Sequence, residues 1–279
     1  MKKFMIMAAA VMMSLSATAQ SSPEAKAIKK MKSYTEVLEA IKANGAAFDN
    51  ADKAFAYNKL VDLAIKENSE SEKAAIEAQL AKNAEQQTKM NVAKNASAYN
   101  ALQAAMQCNA VDEKGKYKNK NVNRLMTIRN SMVQAGLDAY NSKDYTSATK
   151  YFGAFVETRT DALFNEADFS REQNFGQIAY YAALAAYFNK DYKKCDQYSD
   201  AALNSSERDS IANDVIIVKL GAYEEQAKAA AMDSATYVKN VRAMYDLFPE
   251  NENIFGKLVG LYEEVGDKAS AKSLLDTRL

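Results

Sequence analysis

Histidine is absent from all 279 residues, and so is tryptophan. Without histidine there is no Ser-His-Asp or Cys-His nucleophile system and no His-containing metal site, which removes the commonest hydrolase and metalloenzyme designs. Without tryptophan the chain lacks the ring on which sugar platforms lean most. Cysteine is limited to Cys108 and Cys195, too few to build a fold from disulfides, so the core must come from ordinary apolar burial. Cys195 is expected to act as a compact buried apolar residue, and a bridge to Cys108 in another unit is not expected. Proline occurs only at Pro23 and Pro249, and glycine at nine positions. With Ala, Lys, Glu, Leu and Gln abundant, that composition favours helix almost everywhere. No Cys pair has metal spacing and no Gly-rich phosphate loop is present, so no metal and no cofactor is expected and the chain is not read as an enzyme.

Long apolar runs are missing too, except at the start. Residues 1–19 read as a secretory signal: Lys2 and Lys3, an apolar run from Phe4 to Leu15, then Ala17-Thr18-Ala19 as a cleavage site. That run is far shorter than the roughly 20 residues a spanning helix needs. The expected product is a mature chain beginning near Gln20, periplasmic or secreted, with no membrane span. Loss of the two lysines takes 36 basic residues to 34 against 36 acidic ones, a net charge of −2. Nothing in that balance steers the protein toward nucleic acid.

What is present in quantity is repetition. An Ala-Tyr step or a near variant recurs at Ala56-Tyr57, Ala98-Tyr99, Ala139-Tyr140, Ala186-Tyr187, Ala222-Tyr223 and Leu261-Tyr262, at spacings of 42, 41, 47, 36 and 39 residues. Units of about 40 residues, each a helix pair unable to bury its apolar face alone, must stack on their neighbours. The expected fold is all-α: an α-solenoid of stacked helical hairpins with a concave binding wall.

Residues 20–124 contain helical stretches expected over Glu24–Asn44, Asn50–Asn68 and Ser71–Asn109, the last broken once, with Gly45 and the polar Glu67–Glu70 as punctuation. Asp112–Asn121 is expected to be a polar loop separating this region from the next. In residues 125–279 the hairpins sharpen. Met132, Ala135, Gly136 and Ala139 form one helical seam, Asn141–Asp144 a turn, and Tyr145, Ala148, Phe152 and Phe155 a second seam. Ala179, Ala182, Ala183 and Ala186, the turn Asn189–Asp191, then Tyr192, Cys195, Ser199 and Ala202 repeat the pattern. Phe255, Leu258, Val259 and Tyr262, the turn Gly266-Asp267, then Ala271 and Leu275 repeat it again.

At Asp144-Tyr145-x-x-Ala148 and Asp191-Tyr192-x-x-Cys195, with small residues midway along the preceding helices and Pro249 closing a unit, the chain resembles the tetratricopeptide-repeat (TPR) family. The resemblance covers residues 125–279; no Trp opens the first helices, and the spacing exceeds the family's 34 residues. Together with the signal segment and the Lys-rich loop, it is similar to a group of exported bacterial proteins of that type. The resemblance implies a superhelix that binds a protein or peptide partner on its concave face.

Four local features are candidates for chemistry. Asp161, Glu166 and Asp168 could bring three carboxylates together, although calcium loops demand tighter alternation, and a solvated loop with Phe164, Phe169 and Phe175 tucked beneath it is expected. Lys114, Lys116, Lys118, Lys120 and Arg124 form a basic run with one aromatic neighbour, expected to be solvated. Gly256-x-x-x-Gly260 is expected to permit close helix packing. The fourth is the helix whose seam is all alanine: its large residues Tyr180, Leu184, Tyr187 and Phe188 are not spent on the hairpin's own crossing. In the resembling family such positions line the concave face, and Tyr140, Val133 and Leu137 would continue the stripe. Tyr140, Tyr180, Leu184, Tyr187 and Phe188 are therefore the candidate partner-binding residues. The alternative reading is an envelope glycan- or small-ligand-binding helical-repeat protein.

Overall fold

The computed structural model describes residues 22–170 and 172–278, so the signal segment assigned to residues 1–19 lies outside the described residues. Twelve α-helices account for the described chain, and no strand occurs among the described residues. α1 (Pro23–Lys30) and α2 (Tyr34–Asn44) pack on α3 (Asn50–Leu80), which forms a long antiparallel hairpin with α4 (Ala84–Val111). Four further hairpins follow: α5 (Lys118–Asn141) with α6 (Tyr145–Thr158), α7 (Phe175–Phe188) with α8 (Tyr192–Leu203), α9 (Arg208–Lys228) with α10 (Ser234–Leu247), and α11 (Glu252–Glu264) with α12 (Lys268–Asp276). Each hairpin packs on the next, giving the helical-repeat solenoid expected from the sequence.

One turn recurs. Lys82, Lys143, Lys190 and Gly266 adopt left-handed backbone at φ of 55°, 61°, 60° and 80°. Each is followed by Asn83, Asp144, Asp191 or Asp267, whose side chain caps the next helix by accepting from the backbone N–H three residues on, at 3.0 to 3.2 Å. The same residue's N–H closes the previous helix by donating five residues back, for example from Asp144 to Ala139 O at 2.9 Å. The α3–α4 hairpin thus ends in the same device as the later ones.

Three boundaries differ from expectation. Helix 24–44 is broken, with Met31 extended; the break lets Ile28 of α1 and Val37 and Ile41 of α2 all reach the core. Glu67–Glu70 does not interrupt α3. That segment holds neither Gly nor Pro, and the Asn68 amide donates to Lys94 O at 2.8 Å across the hairpin. The polar loop is shorter than read, since α5 already begins at Lys118. Ala56-Tyr57 and Ala98-Tyr99 also fall on opposite arms of one hairpin, whereas the four later steps mark the first helix of successive hairpins.

Glycines at the crossings behave unequally. A Cβ on Gly136 would stand 2.5 Å from the Phe152 ring, which fixes how closely α5 and α6 approach. At Gly256 and Gly260 it would meet nothing within 4 Å. The expected close-packing role of those two glycines is therefore overturned: their face of α11 has no helix against it. No described helix is long and apolar enough to cross a membrane.

Candidate functional site

The five candidate residues lie on α5 and α7, the first helices of two adjacent hairpins. Tyr140, Tyr180, Leu184 and Tyr187 are half-buried and Phe188 is 45% exposed. Their rings meet across the repeat boundary. Tyr140 of α5 lies 6.2 Å from Tyr181 and 6.4 Å from Phe188 of α7, and Phe188 stacks at 4.9 Å on Tyr145, the first residue of α6. Tyr187 touches Tyr192 at 5.9 Å, and its ring passes over Gly221 of α9, 3.2 Å from where a Cβ would stand. Tyr180 leans on Tyr181 at 5.7 Å, and burial, followed by the Asp214 carboxylate of α9 and Tyr181, pushes its phenol pKa up. Burial, with Tyr145, Tyr180 and Tyr181 nearby, does the same at Tyr140.

These side chains therefore pack between neighbouring repeats while keeping part of their surface outward. The physical cause is the alanine seam: Ala179, Ala182, Ala183 and Ala186 are fully buried and leave no room for large groups where α7 meets its partners. Three members of the aromatic band were missed as site residues. Tyr145 and Tyr192 follow the two hairpin turns and read as seam positions. Tyr181 stacks at 6.0 Å on Phe152, on the side facing α6. The signal for Tyr145 and Tyr192 was available, since each sits directly after a capping aspartate and so at a hairpin end.

Beside the band, a cleft of about 370 Å³ opens between α5, the end of α6 and the start of α7. Its floor is Arg129, wholly buried, with the guanidinium 3.9 Å from the Phe155 centroid and 4.7 Å from that of Phe169. Arg129 donates to Thr158 Oγ1 at 2.8 Å and Phe155 O at 3.0 Å and pairs with Glu172, which also takes Arg159 at 2.6 Å. Burial lowers the Arg129 pKa. Phe164 and Phe175 are buried under the 159–174 loop as expected, and Phe169 is half-buried there.

The other candidates are absorbed by structure. Asp161 accepts from Leu163 N at 2.8 Å, Asp168 from Ser170 N at 2.9 Å, and Glu166 pairs with Lys118 at 2.8 Å. No group of three His, Cys, Asp or Glu residues is placed to hold a metal among the described residues. In the basic run, Lys120 and Arg124 converge on Asp62 of α3, so part of the run ties α5 to the long hairpin. Cys108 and Cys195 are free and buried, and burial pushes both thiols up to about 12. At neutral pH both are protonated and poor nucleophiles.

No protein-family model matches the chain, and no curated protein matches it significantly.

Proposed function

We propose that this protein is an exported, non-catalytic TPR-like scaffold that binds an extended peptide or a partner helix through the aromatic band of α5 and α7. The observation that carries this reading is the continuity of partly exposed rings from Tyr140 through Phe188 to Tyr187 across two hairpins. Such rings supply large, rigid contact area with polar tips at low entropic cost, and inter-repeat packing already restrains them. Residues 1–19 support export, and the repeated Asp-Tyr turns support the TPR-like assignment.

The test is a photo-crosslinking residue placed at Phe188, and separately at Gln197 on α8, in cells exporting the protein. The Phe188 position should trap one partner reproducibly while Gln197 does not. Changing Tyr180 and Tyr187 together to Ala should abolish that crosslink. An undiminished crosslink in a double variant that keeps its helical circular dichroism would sink the reading.

A further inference from the structure

The aromatic band does not stop at α7. Along α9, Asp214, Ile217 and Gly221 are spaced by three and four residues, which places them on one face of the helix. Two contacts fix where that face looks. Tyr187 of the band lies over Gly221, and Asp214 stands close enough to Tyr180 to help raise its phenol pKa. Ile217 falls between those two positions and is 54% exposed, more than Phe188 at the other end of the band. The residues that α9 gives to the two cores, among them Val215, Val218 and Ile216, leave by other faces. A lone surface isoleucine needs no explanation, but one that adjoins partly exposed rings enlarges a single apolar patch. That patch spans three hairpins, from Tyr140 on α5 across α7 to Ile217 on α9.

Charge decides what can cover it. None of the 14 residues of α7 is charged. On α9, Glu224 and Glu225 are matched by Lys228 and Lys257, whereas Asp214 is exposed and has no ion pair among the described residues. Lys143 and Lys190 lie in the turns beyond Tyr140 and Phe188, at the far end of the band, and leave Asp214 uncompensated. A purely apolar partner would bury that carboxylate without a counter-charge, and an acidic one would set like charge against it; both cost free energy. A cation placed there gains the carboxylate and a neighbouring tyrosine ring together. We propose that the binding surface extends onto α9 and selects a peptide segment with a lysine or arginine next to an apolar side chain, the cation meeting Asp214 and Tyr180 and the apolar group covering Ile217. This rests on the reading of the band as a peptide-binding surface and adds to it the charge of the partner and a third hairpin.

The experiment selects peptides from a phage-displayed random library on the full chain and measures the affinity of the enriched sequences as synthetic peptides. Those sequences should carry a basic residue beside an apolar one. Asp214→Lys should weaken them by at least about tenfold, and a peptide with glutamate in place of its basic residue should regain affinity for that variant. Ile217→Ser should weaken them by about fivefold or more. Both side chains are exposed, so neither change should lower the melting temperature appreciably. Peptides that lose affinity for the Tyr180→Ala, Tyr187→Ala double variant but bind the two α9 variants like the parent would overturn this proposal and leave the band reading standing. Enriched peptides without a basic excess would overturn it as well, and a selection that enriches nothing would overturn both.

Discussion

Tyr198 of α8 lies over Gly153 of α6 so closely that a Cβ at position 153 would fall 2.2 Å from its hydroxyl oxygen. The ring cannot swing away, because it is fully buried and its hydroxyl donates to Glu157 Oε1 at 2.6 Å. Close approach of α6 and α8 is therefore built on a missing methyl group, and the same logic holds where Gly136 faces Phe152.

Gly136→Ala should accordingly destabilise the protein by about 1–3 kcal/mol through overpacking. Gly256→Ala, into open space within a helix, should stabilise it by about 0.5–1 kcal/mol. Urea midpoints of the two variants should move in opposite directions from the parent; movement in the same direction would contradict the packing described.

Glu172 neutralises a guanidinium that has no access to water. Replacing it by Gln leaves Arg129 buried with hydrogen bonds but without a counter-charge, and loss of one member of a buried pair costs about 3–5 kcal/mol. Glu172→Gln should therefore unfold at much lower urea, and a double-mutant cycle with Arg129→Met should show strong coupling. Additive effects would mean that the pair contributes nothing.

Acid should loosen the α9–α11 junction. The Glu224 carboxyl is held down at about 2 by hydrogen bonds from Lys257 and then Lys228, against an ordinary 4.5. A depressed folded value means stability that is present above about 4.5 and lost as pH falls toward about 2. The effect is small because the side chain is 40% exposed and solvent screens it. Glu224→Gln should flatten the pH dependence of the melting temperature within that window and leave it unaltered above pH 5 or so.

The hairpins of residues 125–279 were legible because their seams combine small residues with fixed three- and four-residue spacing. The first long hairpin was harder to place. Its turn uses Lys82 in left-handed backbone, where glycine is the recognisable signal, and lysine at such a position looks like any solvated residue. Lys143 and Lys190 hide the same geometry, but the aspartates after them gave those turns away. The candidate rings were found from the alanine seam that excludes them. Their mutual packing across repeats was not legible, since it depends on how one hairpin is rotated on the next.

Along α9 run two apolar stripes one residue out of step. Ile211, Val215, Val218 and Ala222 belong to the core of the preceding hairpins, and Ile216, Leu220 and Tyr223 to that of the final ones. A helix that feeds a separate core on each flank acts as a bulkhead: fraying of α10–α12 would uncover the outer stripe while the inner one stayed sealed against α7 and α8. The terminal segment would then breathe on its own clock, with the earlier hairpins staying closed.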